Sequence, residues 1–257
     1  MKPAQRIRFL GLILLLQAAL GLTLASTYFL GRLPKELVPT ARRDAFQVVK
    51  KITFQGEKAL LGWEEKVFCG KTVYRVLSEG SQSFLRATSH GASSGLYMKF
   101  SLPASPNLRL SWEWRAQMFP QKKDPNKLAD RSQDDFAARV YVVFLGSNFF
   151  NSNVIEYIWD ENIPEKTFES SAFSQRIKLF VIRSGKPKPG DPGWRQEERN
   201  VYEDYKLLFG KEPDRPIGAV ALMSDSDNTQ TVSEADFKDL TFKLKEDPKT
   251  PNRGDRR

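Results

Sequence analysis

The sequence predicts a mostly β chain: an antiparallel β-sandwich of jelly-roll type with one short helix, preceded by an N-terminal signal or anchor helix. Three observations predict it. Apolar residues recur at every second position through most of the chain. Clusters of Gly, Pro, Asn and Asp separate these stretches at hairpin-like intervals. Helical spacing of apolar residues is convincing in one segment only. About nine strands and frequent turns fit two packed sheets better than layers of helices. With 40% of its 257 residues apolar and 12% aromatic, the chain can build one large core.

The elements follow in order. Lys2, Arg6 and Arg8 precede Phe9–Gly31, a run with no charged residue. This reads as a positive n-region followed by an apolar h-region. Thr23-Leu-Ala25 before Ser26 is a small-residue site open to cleavage. Left uncut, the run is long enough for a membrane span, which takes about 20 residues, and the positive-inside rule holds its basic end in the cytoplasm. Residues 1–31 are therefore expected to be a signal peptide or signal anchor. The body then works in the periplasm or another extracytoplasmic space, either soluble or anchored to the inner membrane through that helix. No cysteine stands near residue 26, which excludes a lipoprotein anchor.

Residues 32–45, marked by Pro34 and Pro39, read as a linker, and the sandwich domain is expected over 46–244. Strands are expected at Val67–Leu77, Phe84–Ala87, Leu96–Leu102, Ser111–Arg115, Phe136–Phe144, Val154–Trp159, Ile177–Arg183, Ile217–Met223 and Phe237–Leu244. The alternation is clearest in Phe136–Phe144, where Phe136, Ala138, Val140, Val142 and Phe144 share one face. The helix is Val201–Phe209: Asn200 caps it, Tyr205 and Leu208 follow Val201 on one face, and Gly210 closes it. Residues 245–257, with Pro248 and Pro251, read as a disordered basic tail.

Charge and rare residues narrow the functions. The net charge of +9 sits at the ends. Residues 1–26 hold three bases and no acid, and the stretch from Lys243 onward holds six bases and three acids, leaving 31 bases against 28 acids between them. Without a dense Lys/Arg run in the body, a nucleic-acid partner is not expected. One cysteine, Cys69, excludes an internal disulfide and a thiolate-rich metal site, and one histidine, His90, excludes a multi-histidine centre. Cys69 reads as a small buried hydrophobe, and His90 as a polar residue of a turn-rich segment.

Several strands carry charge on the face turned away from their apolar side. Glu113 and Arg115 oppose Trp112 and Trp114, which read as core; Arg139 and Tyr141 oppose the Phe136–Phe144 stripe; Glu156 interrupts Val154–Ile158; Arg183 ends its strand; and Asp225 follows Met223. If these strands are neighbours, their charges gather beside Tyr141. Carboxylates and guanidinium forks held on strands are suited to a polar ligand such as a sugar. The bland reading of the same pattern is a solvated, salt-bridged face. Asp225-Ser-Asp227-Asn228-Thr229 is the densest group of oxygen ligands, a weak match to a calcium loop and an ordinary turn otherwise. Asp134 and Asp135, adjacent at a strand entry, point to opposite faces and read as structural. Glu113, Glu156 and Asp225 include possible acid pairs for glycoside hydrolysis, which needs carboxyl groups about 5 to 9.5 Å apart.

Five ordered segments carry a resemblance: Leu110-Ser-Trp-Glu-Trp-Arg115, Asp134-Asp-Phe-Ala-Ala-Arg-Val-Tyr-Val-Val-Phe144, Ile155-Glu-Tyr-Ile-Trp159, Arg199-Asn-Val-Tyr-Glu-Asp-Tyr205 and Ala221-Leu-Met-Ser-Asp-Ser-Asp-Asn-Thr229. Together they resemble the bacterial exported family known as domain-of-unknown-function thirty forty-seven, from about Phe54 to Phe242. The resemblance implies an exported protein with one β-rich domain and carries over no catalytic residue. Gly62-Trp63, Phe68-Cys-Gly70 and Ser94-Gly-Leu96 are also faintly similar to jelly-roll carbohydrate-binding modules.

The leading expectation is an exported envelope protein, a non-catalytic binding module for a polar ligand such as a glycan or another envelope component. Its ligand candidates are Glu113, Arg139, Tyr141, Glu156, Arg183, Asp225 and Asp227, with no cofactor unless Asp225, Asp227 and Asn228 hold calcium. The alternatives are an envelope structural or assembly protein with no small ligand, and a carboxylate-dependent carbohydrate-active enzyme. Charges found buried and mutually paired would favour the structural alternative.

Overall fold

The computed structural model describes residues 45–56, 58–147 and 151–246. The expected signal or anchor over 1–31, nearly all of the linker and the tail past Glu246 lie outside the described residues. Thirteen strands and one helix are present among the described residues: β1 Phe46–Ile52, β2 Trp63–Cys69, β3 Val73–Glu79, β4 Gln82–His90, β5 Ser93–Leu102, β6 Leu108–Met118, β7 Ala138–Phe144, β8 Asn153–Asp160, β9 Phe168–Ser171, β10 Ser174–Ser184, β11 Arg195–Arg199, α1 Val201–Phe209, β12 Ile217–Met223 and β13 Val232–Lys245.

They form two sheets. One runs β11-β6-β13-β4-β3, with β1 paired to the far half of β13; the other runs β2-β5-β12-β7-β8-β10-β9. Every pair is antiparallel except β8 with β10, which run parallel. That is one departure from a purely antiparallel sandwich. A parallel pair needs a crossover, and the segment between β8 and β10, which includes β9, makes it.

Between the sheets lies the main core. Trp112 and Trp114 of β6, Tyr157 and Trp159 of β8, Phe237 and Phe242 of β13, and Val140, Val142 and Phe144 of β7 all face it. The tryptophans are core, as expected, and meet edge to face at 5.4 Å. Helix α1 packs here through Val201, Tyr205 and Leu208. Its N-cap is Asn200, whose side chain accepts from the Glu203 amide, and Gly210 closes it at φ 68°. A left-handed C-cap favours glycine because no Cβ clashes there.

The single strand expected over Val67–Leu77 is two, β2 and β3, placed in different sheets. Gly70, at φ 65°, makes the break. The left-handed backbone there favours glycine, and a Cβ at that position would stand a tight 3.1 Å from the Ala92 Cβ. Cys69 is exposed rather than buried, because it ends β2 at a sheet edge. His90 ends β4 and is exposed.

A second, smaller core bears on the site. Leu128, Phe136, Ile158, Ile163, Leu179 and Val181 pack together. Ile158, Leu179 and Val181 belong to β8 and β10 but face away from the main core, and the irregular segments around Leu128, Phe136 and Ile163 lie over them. Apolar residues on both faces of β8 and β10 make those strands nearly continuous hydrophobic runs.

Candidate functional site

Four of the expected site residues converge on the outer face of the second sheet. Arg139 and Tyr141 project from β7, Glu156 from β8 opposite Tyr141, and Asp225 from the turn after β12. Arg139 Nε donates to Asp225 Oδ1 at 2.9 Å and Nη2 to Oδ2 at 2.7 Å, while Nη1 donates to Glu156 Oε1 at 2.6 Å. The same guanidinium donates to the Asp134 carbonyl and stacks over the Phe136 ring at 4.5 Å. Asp225 Oδ1 also accepts from the Phe136 amide at 3.0 Å. This is a charge network closed upon itself. Arg139, Glu156 and Asp225 are each 3% exposed or less.

Its electrostatics follow from burial. Desolvation lifts the Glu156 carboxyl to about 7, against the attraction of Arg139 and with repulsion from Asp134. Desolvation likewise holds Asp225 well above the usual carboxylate range, with Arg139 opposing and Asp135 and Asp134 adding repulsion. Desolvation disfavours the charged form of Arg139, yet Asp225, Tyr141, Glu156 and Asp134 together hold it firmly protonated.

The other expected residues lie elsewhere. Glu113 is on β6 in the opposite sheet, paired with Lys238 of β13 at 3.0 Å. Its neighbour Arg115 joins a separate network around the fully buried Asp236, which also binds Arg86 and Gln117. Arg183 of β10 reaches Glu197 of β11 at 2.7 Å, and Glu197 accepts from the Trp114 indole at 3.1 Å, so this pair ties β10 of one sheet to the edge strand β11 of the other. The gathering beside Tyr141 therefore excludes Glu113, Arg115 and Arg183, because their strands do not neighbour β7 on that face. No accessible pair of acids faces a cleft here: Glu156 and Asp225 are both bound to Arg139.

Asp225 and Asp227 do come together with a third acid, Asp135; one carboxylate oxygen from each lies within 4.8 Å of the others. The donor set fits a cation poorly. Both oxygens of Asp135 accept backbone amides, from Asn228 at 3.2 Å and Thr229 at 2.6 Å, and Asp225 is occupied by Arg139. Calcium takes six to eight oxygens, and here a guanidinium already supplies the positive charge. Asn228 contributes its amide to Asp135 and is exposed. Asp134 and Asp135 therefore work structurally, one at Arg139 and one clasping the turn after β12.

The open recess is elsewhere. A groove of about 780 Å³ lies between the end of β6 and the loop after β10. Met118 and Phe119 line it from one side, Pro187 and Pro189 from the other, with Gln121, Lys186, Asp191 and Thr231 supplying polar groups. Its volume is within the range of small-ligand sites, about 300–1,000 Å³. Asp191 is held down to about 2 by the hydrogen bond from Arg195 and by the Gly193 amide, so it is ionised. Lys186 pairs with Glu161 at 2.7 Å. Sequence reasoning missed this groove. The one available signal was the run Lys186-Pro-Lys-Pro-Gly190-Asp-Pro-Gly193, whose three prolines and two glycines after the first lysine mark a stiff surface loop.

Solved structures similar in fold include a family 11 carbohydrate-binding module from Clostridium thermocellum in complex with a β-1,3-1,4-mixed-linked tetrasaccharide. It shows 10% identity and a TM-score of 0.37 over 77% of this chain and 97% of that one. Another is the xyloglucanase domain of NopAA, a type three effector from Sinorhizobium fredii, in complex with cellobiose, at 10% identity and a TM-score of 0.39 over 70% and 92%. At these values the ligands named belong to those proteins alone. No curated protein sequence matches the chain. The family match is to a protein of unknown function, DUF3047, over residues 61–241, and the chain belongs to that family.

Proposed function

We propose that the chain is a non-catalytic binding module of the bacterial envelope, and that a glycan lies in the groove between β6 and the loop after β10. The observation that carries this reading is the lining of that groove. Met118 and Phe119 offer apolar surface for the C–H face of a sugar ring, while Gln121, Thr231 and the ionised Asp191 offer groups to its hydroxyls. Two prolines stiffen the opposite wall, so little loop entropy is lost on binding. The test is a thermal melt of the purified full chain against a panel of envelope glycans. A ligand at a hundred times its Kd adds about 2.7 kcal/mol. The shift with one glycan is expected to vanish in Met118→Ala and Gln121→Ala, both exposed positions. A flat panel overturns the reading.

Export is part of the same proposal and rests on Lys2, Arg6, Arg8 and the uncharged run after them. Residues 1–31 fused to a reporter active only in the periplasm are expected to activate it; a silent reporter overturns the address.

A second reading, an envelope assembly protein, is favoured by one specific feature. β2 is an edge strand of its sheet, and its Val67 and Phe68 are 42% and 59% exposed. An edge strand with free backbone groups and apolar side chains is suited to pairing with a strand of another protein. The sealed network at Arg139 agrees with this reading, since it serves the fold and no ligand. Replacement of Phe68 by Lys separates the two readings: it leaves glycan shifts intact and abolishes any partner.

A further inference from the structure

A second recess lies beside α1. It has a volume of about 300 Å³ and is lined by Asn153 of β8, Arg176 of β10, Tyr205 of α1, and Lys211, Asp214 and Arg215 from the segment after α1. Three cations stand against one acid. Asp214 is 3.7 Å from Lys211, with both side chains more than half exposed, so that pair is loose. Arg215 has no ion-pair or hydrogen-bond partner among the described residues, and Arg176 meets only an amide oxygen. The C-terminal dipole of α1 accounts for Lys206 in its last turn but fades within that turn, so it does not account for Arg176 or Arg215.

Beside a separate bond from Asn151 Nδ2 to the Ser147 hydroxyl at 3.0 Å, one chain of hydrogen bonds runs through the recess in a single direction. Arg176 Nη1 donates to Asn153 Oδ1 at 3.2 Å. A guanidinium can only donate, which fixes the amide's orientation. Asn153 Nδ2 then donates to the Tyr205 hydroxyl at 2.6 Å. Tyr205 thus has its oxygen engaged as acceptor and its proton left to give, and no described residue takes that proton. The side chain is 1% exposed, yet it lines the recess. A buried hydroxyl held as a donor, facing unpaired cations, calls for an acceptor that the chain does not itself supply.

The geometry points to a binding site for a tetrahedral oxyanion, a phosphate or sulfate group, free or as an ester, between Tyr205, Arg176 and Arg215. Three cations less one acid leave a surplus matched by a dianion. The donors come from a strand, the helix and the segment beyond it, which suits four oxygens pointing apart better than the two coplanar oxygens of a carboxylate. The site is separate from the glycan groove and stands whether or not that groove binds sugar.

The experiment is titration of the full chain with inorganic phosphate by calorimetry at constant ionic strength, with sulfate, acetate and chloride in parallel. Phosphate or sulfate is expected to bind, and Arg215→Ala, at an exposed position, is expected to raise Kd at least tenfold without changing the thermal midpoint. Tyr205→Phe should weaken binding while leaving the chain folded; if it fails to fold, Arg176→Ala replaces it, with the same expectation as Arg215→Ala. Acetate binding as tightly as phosphate overturns the tetrahedral assignment. Heat equal to that of chloride, or binding undiminished in Arg215→Ala, overturns the site. A free ion and an ester are separated by glycerol phosphate: binding at least as tight as inorganic phosphate supports an esterified group, and tighter binding of the free ion supports phosphate itself.

Discussion

Arg139 and Asp225, 86 residues apart, meet as a two-pronged ion pair with both side chains shut away from water. The fork joins β7 to the turn after β12, and a third nitrogen carries it on to Glu156. Taking either partner away leaves its counterpart buried without the group that satisfies it. Replacement of Arg139 by Ala is therefore expected to destabilise the chain by about 3–5 kcal/mol, the range for breaking a buried pair. Urea unfolding checks this. A loss under about 1 kcal/mol would mean that water reaches the pair.

Stability is expected to fall as pH rises from about 5 to 8. Burial raises Glu156 to about 7 from an ordinary 4.5, so the folded state holds a proton that the unfolded state has released between those values. Protonation thus favours folding below 4.5, and that contribution is lost as pH climbs through 7. Asp134, Asp225 and Asp227, also raised mainly by burial, act in the same direction. Glu156→Gln should flatten the slope of Tm against pH. An unchanged slope would take Glu156 out of the account.

The covering layer over β8 and β10 keeps the network dry, and Leu128 is its buried anchor at 2% exposure. Leu128→Ala is expected to cost about 2–5 kcal/mol. Hydrogen exchange should speed up first in residues 120–137, ahead of the strands beneath. Uniform acceleration across both sheets would show that this layer does not open separately.

Calcium against EDTA is expected to leave the thermal midpoint where it is. Asp135 already accepts two backbone amides, and Arg139 already neutralises Asp225. A rise with calcium that disappears in Asp227→Ala would assign the three acids to a cation.

Much of this was legible in the residues themselves. The alternation in 138–144 identifies the inner and outer faces of β7, because successive side chains on a strand must point to opposite sides. Phe136, read as part of the same inner stripe, precedes the strand and packs instead in the smaller outer core against Arg139. Asn200 and Gly210 bound α1 because their local chemistry suits the two ends of a helix. Trp112 and Trp114 are core for the same reason of periodicity. Local pattern also placed Arg139, Glu156 and Asp225 away from the apolar stripe. What it did not contain was the partner of each strand. Glu113 looks equivalent to Arg139 in sequence, yet β6 and β7 belong to opposite sheets, and the charges part company. Only tertiary structure laid residues 120–137 over the outer face, turning an apparent ligand surface into a sealed ion network. It also opened the recesses at Gln121 and Tyr205. Periodicity is a property of neighbouring residues and survives in the sequence; enclosure depends on segments far apart in the chain meeting in space, and no short window of residues records it.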